Sequence, residues 1–116
     1  MSSLTIKMTG DNTMSITKVA RELKRSIGGE YISESWHEFG DVTAVQLSYE
    51  KYFMRTGSYT GLTVMLTEGV GAQYADIVGF GGGSGLFNIS WGSNSEYADD
   101  AARILQSLGF REIARE

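Results

Sequence analysis

The 116-residue sequence has no cysteine, no proline and a single histidine, His37. Without thiols there is no disulfide framework, no thiolate nucleophile and no cysteine-ligated zinc or iron–sulfur centre. One histidine leaves only carboxylates to complete a transition-metal site, so neither a metal nor any other cofactor is expected. The missing prolines throw turn formation onto Gly, Asn and Asp. There is no apolar run approaching the roughly 18 residues that a membrane span needs. Met1 to Gly10 alternates apolar with polar residues instead of placing a basic run before an apolar one, so it reads as a strand and not as a secretory signal. A cytoplasmic setting with no membrane partner is the expectation. Positive charge is also scarce: 10 Lys and Arg face 14 Asp and Glu, a net charge of -4. That balance provides no field to gather phosphate backbones, and nucleic acid is disfavoured as a partner.

What is present is an ordinary globular composition, 41% hydrophobic and 21% charged, which implies one folded domain over residues 1–116. Leu4, Ile6 and Met8 alternate with polar residues and predict a first strand. Ile16, Val19, Ala20, Leu23 and Ile27 then form a single apolar stripe at helical spacing, with Gly28-Gly29 as its expected C-terminal stop. From Glu30 to Trp91 the pattern is strand-like, punctuated by turn residues around Gly40, Gly57, Gly69 and the run Gly79 to Gly85. Short connections of this kind join antiparallel neighbours. The expected core rows are Val45, Leu47 and Tyr49, then Leu62, Val64 and Leu66, then Phe87, Ile89 and Trp91.

A second helix is predicted from a capping-box spacing, Ser93 with Glu96, through the stripe Tyr97, Ala98, Ala101, Ile104, Leu105 and Leu108 to Gly109. Asp99 and Arg103 stand at i, i+4 within it. The order read this way is β-α-β(4)-α, with an optional extra strand around Tyr31 to Phe39 and a tail that is frayed or a short edge strand. The architecture implied is α+β: a two-layer sandwich with both helices on one face of an antiparallel sheet, of the helix-grip or TATA-box-protein-like kind.

Two stretches, Tyr49-Glu50-Lys51-Tyr52-Phe53-Met54-Arg55-Thr56-Gly57-Ser58 and Gly79-Phe80-Gly81-Gly82-Gly83-Ser84-Gly85-Leu86-Phe87-Asn88-Ile89-Ser90-Trp91-Gly92, resemble a family of small bacterial proteins known as a domain of unknown function. A tyrosine-rich strand and a glycine-rich turn before an aromatic strand carry the likeness, over about the central half of the chain. The resemblance implies a single-domain fold and brings no mechanism with it.

Three surfaces are candidates for function. Gly81, Gly82, Gly83 and Ser84 could present backbone N–H groups to an anion, helped by Lys51 and Arg55; the alternative is a bulged or wide hairpin turn, because the next element reads as a strand and not as the helix of a phosphate loop. Lys18, Arg21, Lys24 and Arg25 form a basic face on the first helix that could dock an acidic partner or a phosphate backbone, though in an acidic chain such a face is more often simply solvated. The uncovered sheet face is expected to carry Gln46, Ser48, Glu50, Tyr52 and Met54, then Thr63, Met65 and Thr67, then Gln73 and Ala75, then Asn88 and Ser90. Tyr and Met are favoured at interface centres, so Tyr52, Met54 and Met65 are the interface candidates. His37 has no orienting partner or nucleophile apparent in the sequence, and no residue is assigned a catalytic role. The expectation is a non-enzymatic interaction or small-ligand-binding domain that forms a homo-oligomer through its open sheet face. The alternative is an enzyme or sensor that binds a small anionic ligand, a nucleotide or phosphorylated metabolite, at the glycine-rich turn.

Overall fold

The computed structural model describes residues 3–81 and 92–116. Within these residues the chain forms β1 (Ser3–Gly10), α1 (Ile16–Ser26), β2 (Glu30–Phe39), β3 (Val42–Phe53), β4 (Ser58–Gly69), β5 (Ala72–Gly81), α2 (Ser93–Ser107) and β6 (Phe110–Arg115). The six strands make one antiparallel sheet in the order β2-β3-β4-β5-β1-β6. The element order is therefore β-α-β(4)-α-β. The segment Tyr31 to Phe39 is a strand, and the tail pairs with β1 as a second edge strand. The strand expected at Phe87, Ile89 and Trp91, with Asn88 and Ser90 on its other face, lies outside the described residues.

Both helices lie on the same side of the sheet, and the core is the layer between. Val45, Leu47 and Tyr49 of β3 and Leu62, Val64 and Leu66 of β4 are all buried in it, facing Ile16, Val19, Ala20 and Leu23 of α1 and Tyr97, Ala98, Ala101 and Leu105 of α2. Period-2 alternation in the strands and 3.6-residue spacing in the helices supply these two sets without a polar intruder. Gly79 of β5 lets α2 settle onto the sheet, because a Cβ there would run into the backbone carbonyl of Asn94.

The helix ends are finished differently from the sequence pattern. Ser15 caps α1, its Oγ accepting from the Lys18 N–H at 3.3 Å. The chain leaves α1 at Ile27 in an extended conformation, before the glycine pair, so no glycine cap is used. At α2 the N-cap is Gly92, at φ 84°, and Ser93 is the first helical residue. Ser93 does not close a capping box: it is buried, and its Oγ accepts the Thr60 hydroxyl at 2.8 Å. Glu96 turns outward to Arg55 instead. Asp99 likewise reaches Arg115 of β6, while Arg103 pairs with Asp100. Glu96 and Asp99 have thus taken partners that tertiary structure brings close, which sequence spacing cannot rank.

The largest departure from the expected pattern is Gln73. Gln73 and Ala75 face the core, each 1% exposed, and not the open side. The register pairs Gln73 with Glu68, Ala75 with Leu66 and Ile77 with Val64, which puts all three in the buried row. Gln73 is tolerated there because its carboxamide is saturated. Its Oε1 accepts the Asn12 N–H at 3.1 Å, and its Nε2 donates to the Met14 carbonyl at 2.7 Å and to Glu68 Oε2 at 2.6 Å. Glu68 Oε2 also accepts the N–H of Ile16, the first residue of α1, at 3.2 Å. One side chain thus fastens the β1–α1 connection to the β4–β5 hairpin.

Replacing Gln73 with Ala removes three hydrogen bonds made by a buried side chain and is expected to cost about 2–3 kcal/mol in urea unfolding. Tyr74→Ala, on the neighbouring but outward-facing position, is expected to cost under about 1 kcal/mol. Equal losses from the two variants would contradict this assignment of faces.

Candidate functional site

Because both helices cover one side, the other side of the sheet carries no layer formed by the described residues. The parity that buries Leu62, Val64 and Leu66 sends Tyr59, Gly61, Thr63 and Met65 outward from β4. On β3 it sends out Gln46, Ser48, Glu50 and Tyr52, and on β5 Tyr74, Asp76, Val78 and Phe80. Five of these are large apolar or aromatic side chains, Tyr52, Tyr59, Met65, Tyr74 and Phe80, and they are between 37% and 53% exposed. Tyr52 and Tyr59 oppose each other across β3 and β4 and meet edge to face, with centroids 5.3 Å apart. Phe80 lies over Gly61, its cross-strand neighbour, so closely that any Cβ at Gly61 would strike the ring.

Two depressions mark this face. The larger, about 420 Å³, has Ser48, Gly61 and Thr63 along it and Ile32, Tyr59 and Phe80 as apolar walls, with Glu50 at its rim. Ile32 reaches it because the register of β2 against β3 slips between Tyr31 and Ser33. A bulge inserts one residue and breaks the strict alternation, which places Ile32 beside Ser33 on the open side. The smaller depression, about 90 Å³, has Met65 against Ser35, His37 and Gln46. His37 makes one contact within β2, Nε2 to Ser35 Oγ at 3.3 Å. Its neighbours in the chain turn the other way: Trp36 Nε1 donates to Glu34 at 2.6 Å, and Glu34 also takes Lys24 of α1 at 3.0 Å. Those two hydrogen bonds, that from Trp36 first, hold the Glu34 carboxyl below its usual range.

The interface candidates Tyr52 and Met65 both stand on this open face. Met54 does not share it in the same way, because β3 ends at Phe53 and Met54 sits in the turn that follows, 87% exposed. Ile32, Tyr59, Tyr74 and Phe80 belong to the face and were not in the expected set. Tyr59 was accessible to sequence reasoning, since it continues the outward parity of Thr63 and Met65 by two more steps. Tyr74 and Phe80 follow once Gln73 is placed inside, and Ile32 depends on a bulge that alternation alone does not announce.

The anion candidates are dispersed over different surroundings. Gly81 closes β5 at φ 80°, paired with Thr60, whereas Gly82, Gly83 and Ser84 lie outside the described residues. Arg55 Nη2 is held by Glu96 Oε1 at 2.8 Å. Lys51 points to the helix side, with Nζ 5.2 Å from the Phe53 ring and 5.9 Å from that of Tyr97. Tyr97 is buried beside it and donates its hydroxyl to the Gly28 carbonyl at 2.7 Å. Burial pushes the Tyr97 phenol far above the usual tyrosine range, and pushes Tyr49 upward in the same direction.

A family model described as a family of unknown function, DUF6054, matches residues 1–109. The chain belongs to the DUF6054 family. The match runs from β1 to the glycine that follows α2, well beyond the central half in which the resemblance was read. A comparison with curated proteins finds no significant match. The match therefore spans both helices and β1 to β5, with β6 and its buried Phe110 outside it.

Tyr97 also gives a pH test of this geometry. Its folded-state pKa lies above that of the unfolded chain, near 10 for an ordinary phenol, so its stabilising contribution is complete below that value and is lost as pH rises through the folded pKa. In an alkaline absorbance titration, part of the phenolate signal should appear only as the protein unfolds, and Tyr97→Phe should remove that part. An unchanged titration curve in the variant would contradict the burial of this hydroxyl.

Proposed function

We propose that the open sheet face is the working surface, and that the chain is a non-enzymatic interaction domain that self-associates through it. The observation that carries this reading is the five half-exposed side chains, Tyr52, Tyr59, Met65, Tyr74 and Phe80, on one side of a sheet whose other side is packed by the helices over β1, β3, β4 and β5. Between them stand neutral residues, Gln46, Ser48, Thr63 and Thr67, which can be desolvated against a second sheet without stranding a charge. Of the charged groups on the face, Glu30 and Lys7 lie toward its edges on β2 and β1, while Glu50 stands opposite Gly61 and Asp76 opposite Met65 and would each need a polar partner in the contact. Three carboxylates on this face also weigh against a phosphate backbone as the partner.

The helix-grip and TATA-box-protein-like folds share this plan of one covered and one open face, and the likeness is one of architecture only. A cytoplasmic setting belongs to the same reading and rests on the thiol-free composition. Binding of an anionic metabolite at the glycine-rich turn has weaker support, because Glu96 already neutralises Arg55 and Lys51 is turned to the helix side.

Met65→Glu places a carboxylate at the centre of the proposed contact. Burying it unpaired should cost about 3 kcal/mol, roughly a hundredfold in the association constant. Sedimentation should then show a fall to the monomer mass while the helical circular dichroism persists. A variant mass equal to that of the wild type would count against self-association through this face.

A further inference from the structure

The larger depression on the open face has walls of one chemistry and a charge of one sign, and together they specify an occupant. Its apolar walls are Ile32, Tyr59 and the Phe80 ring over Gly61. Among the described residues, Glu50 is the one carboxylate or base along it. Directly opposite Glu50 across the β2–β3 ladder is Glu30, which shares its face. Like charges in that relation repel each other in a sheet. Among the described residues neither carboxylate forms a salt bridge, whereas Glu34 has Lys24, Glu96 has Arg55 and Glu112 has Arg115. Lys51, the adjacent residue, is turned through the sheet to Phe53 and Tyr97 and does not offset the charge from this side.

We propose that this groove binds a small organic cation: an ammonium group carried on a flat or apolar body. The volume, about 420 Å³, is of the size that holds one such molecule. The apolar body would rest against Ile32 and the Phe80 ring that lies over Gly61. The cationic head would lie between the Tyr59 ring, whose π face attracts positive charge, and the Glu50 carboxylate. A bare metal ion suits the site poorly, because aromatic and aliphatic walls supply none of the oxygen ligands that would replace its water. An anion would meet two uncompensated carboxylates. The groove shares Tyr59 and Phe80 with the proposed self-association surface, and titrating the probe into Met65→Glu as well as into the full chain keeps the two readings apart.

The test uses phenyltrimethylammonium as the probe and tert-butylbenzene as its neutral isostere, titrated into the full chain and into Met65→Glu, with amide chemical shifts as the readout. The expected result is saturable shifts at Ile32, Glu50, Gly61 and Phe80 with the cation and none there with the isostere. Glu50→Gln should weaken the cation about tenfold, and Glu30→Gln, farther from the groove, roughly two- to threefold. Equal binding of the neutral isostere, unchanged affinity in Glu50→Gln, or shifts that neither saturate nor centre on the groove would overturn the proposal. Sedimentation of the same samples reads association independently. Loss of probe binding in Glu50→Gln at unchanged mass supports the groove whatever Met65→Glu does to the mass.

Discussion

A six-stranded sheet has two faces, and helices of 11 and 15 residues can cover only one of them. Everything distinctive in this molecule follows from that inequality. The covered side takes the apolar alternation of β1, β3, β4 and β5, both helical stripes and the buried phenol of Tyr97. The uncovered side must then be made of whatever the opposite parity supplies. A wet sheet face needs only polar residues there, and Thr, Ser and Gln do occupy much of it. Tyrosines at positions 52, 59 and 74, a methionine at 65 and a phenylalanine at 80 are more apolar surface than solvation asks for. The edge strand β2 is a consequence of the same geometry: it extends past the reach of the helices, so nearly all of it is exposed.

The orientation of β5 decides which residues form that face, and Gln73 holds it. A shift of one residue would exchange Ala75 and Ile77 for Asp76 and Val78 in the core, and the sheet would lose its dry side. Hydrogen bonds that Gln73 accepts from Asn12 and donates to Met14 and Glu68 are compatible with only one register, and they tie that register to the start of α1 through the carboxylate of Glu68. Tyr74 and Phe80 face outward because Gln73 faces inward. A buried polar side chain with all its groups satisfied thus contributes specificity of pairing as well as stability.

Much of this was legible in the amino-acid sequence, and the reasons are physical. The stripes of α1 and α2 and the rows of β3 and β4 are long and strictly periodic, so burial follows from spacing alone. Gln73 was misread because polarity is a guide to exposure only when no partner awaits inside, and its partners, Asn12, Met14 and Glu68, are brought to it by folding. Ile32 was missed because a bulge shifts parity by one residue with no compositional mark at Tyr31-Ile32-Ser33. Ser93 and Glu96 have the spacing of a capping box, yet Thr60 and Arg55 outcompete the local pairing. Of the interface candidates, Tyr52 and Met65 were found by alternation, and Met54 was carried one step too far because alternation does not show where a strand ends.

The account stands on the claim that the open face, and no other apolar patch, is where the chain meets its partner. Exposed apolar residues also occur elsewhere, at Tyr31 and Trp36 on the helix side of β2, at Val70 in a turn and at Ile113 on β6. Residue-resolved oxidative footprinting of the wild-type chain across a dilution series separates these surfaces without any substitution. The account predicts that Tyr59, Met65 and Tyr74 become protected as concentration rises, while Tyr31, Trp36, Val70 and Ile113 keep the same reactivity. Protection confined to Tyr31 and Trp36, or none at Tyr59, Met65 and Tyr74, would contradict it.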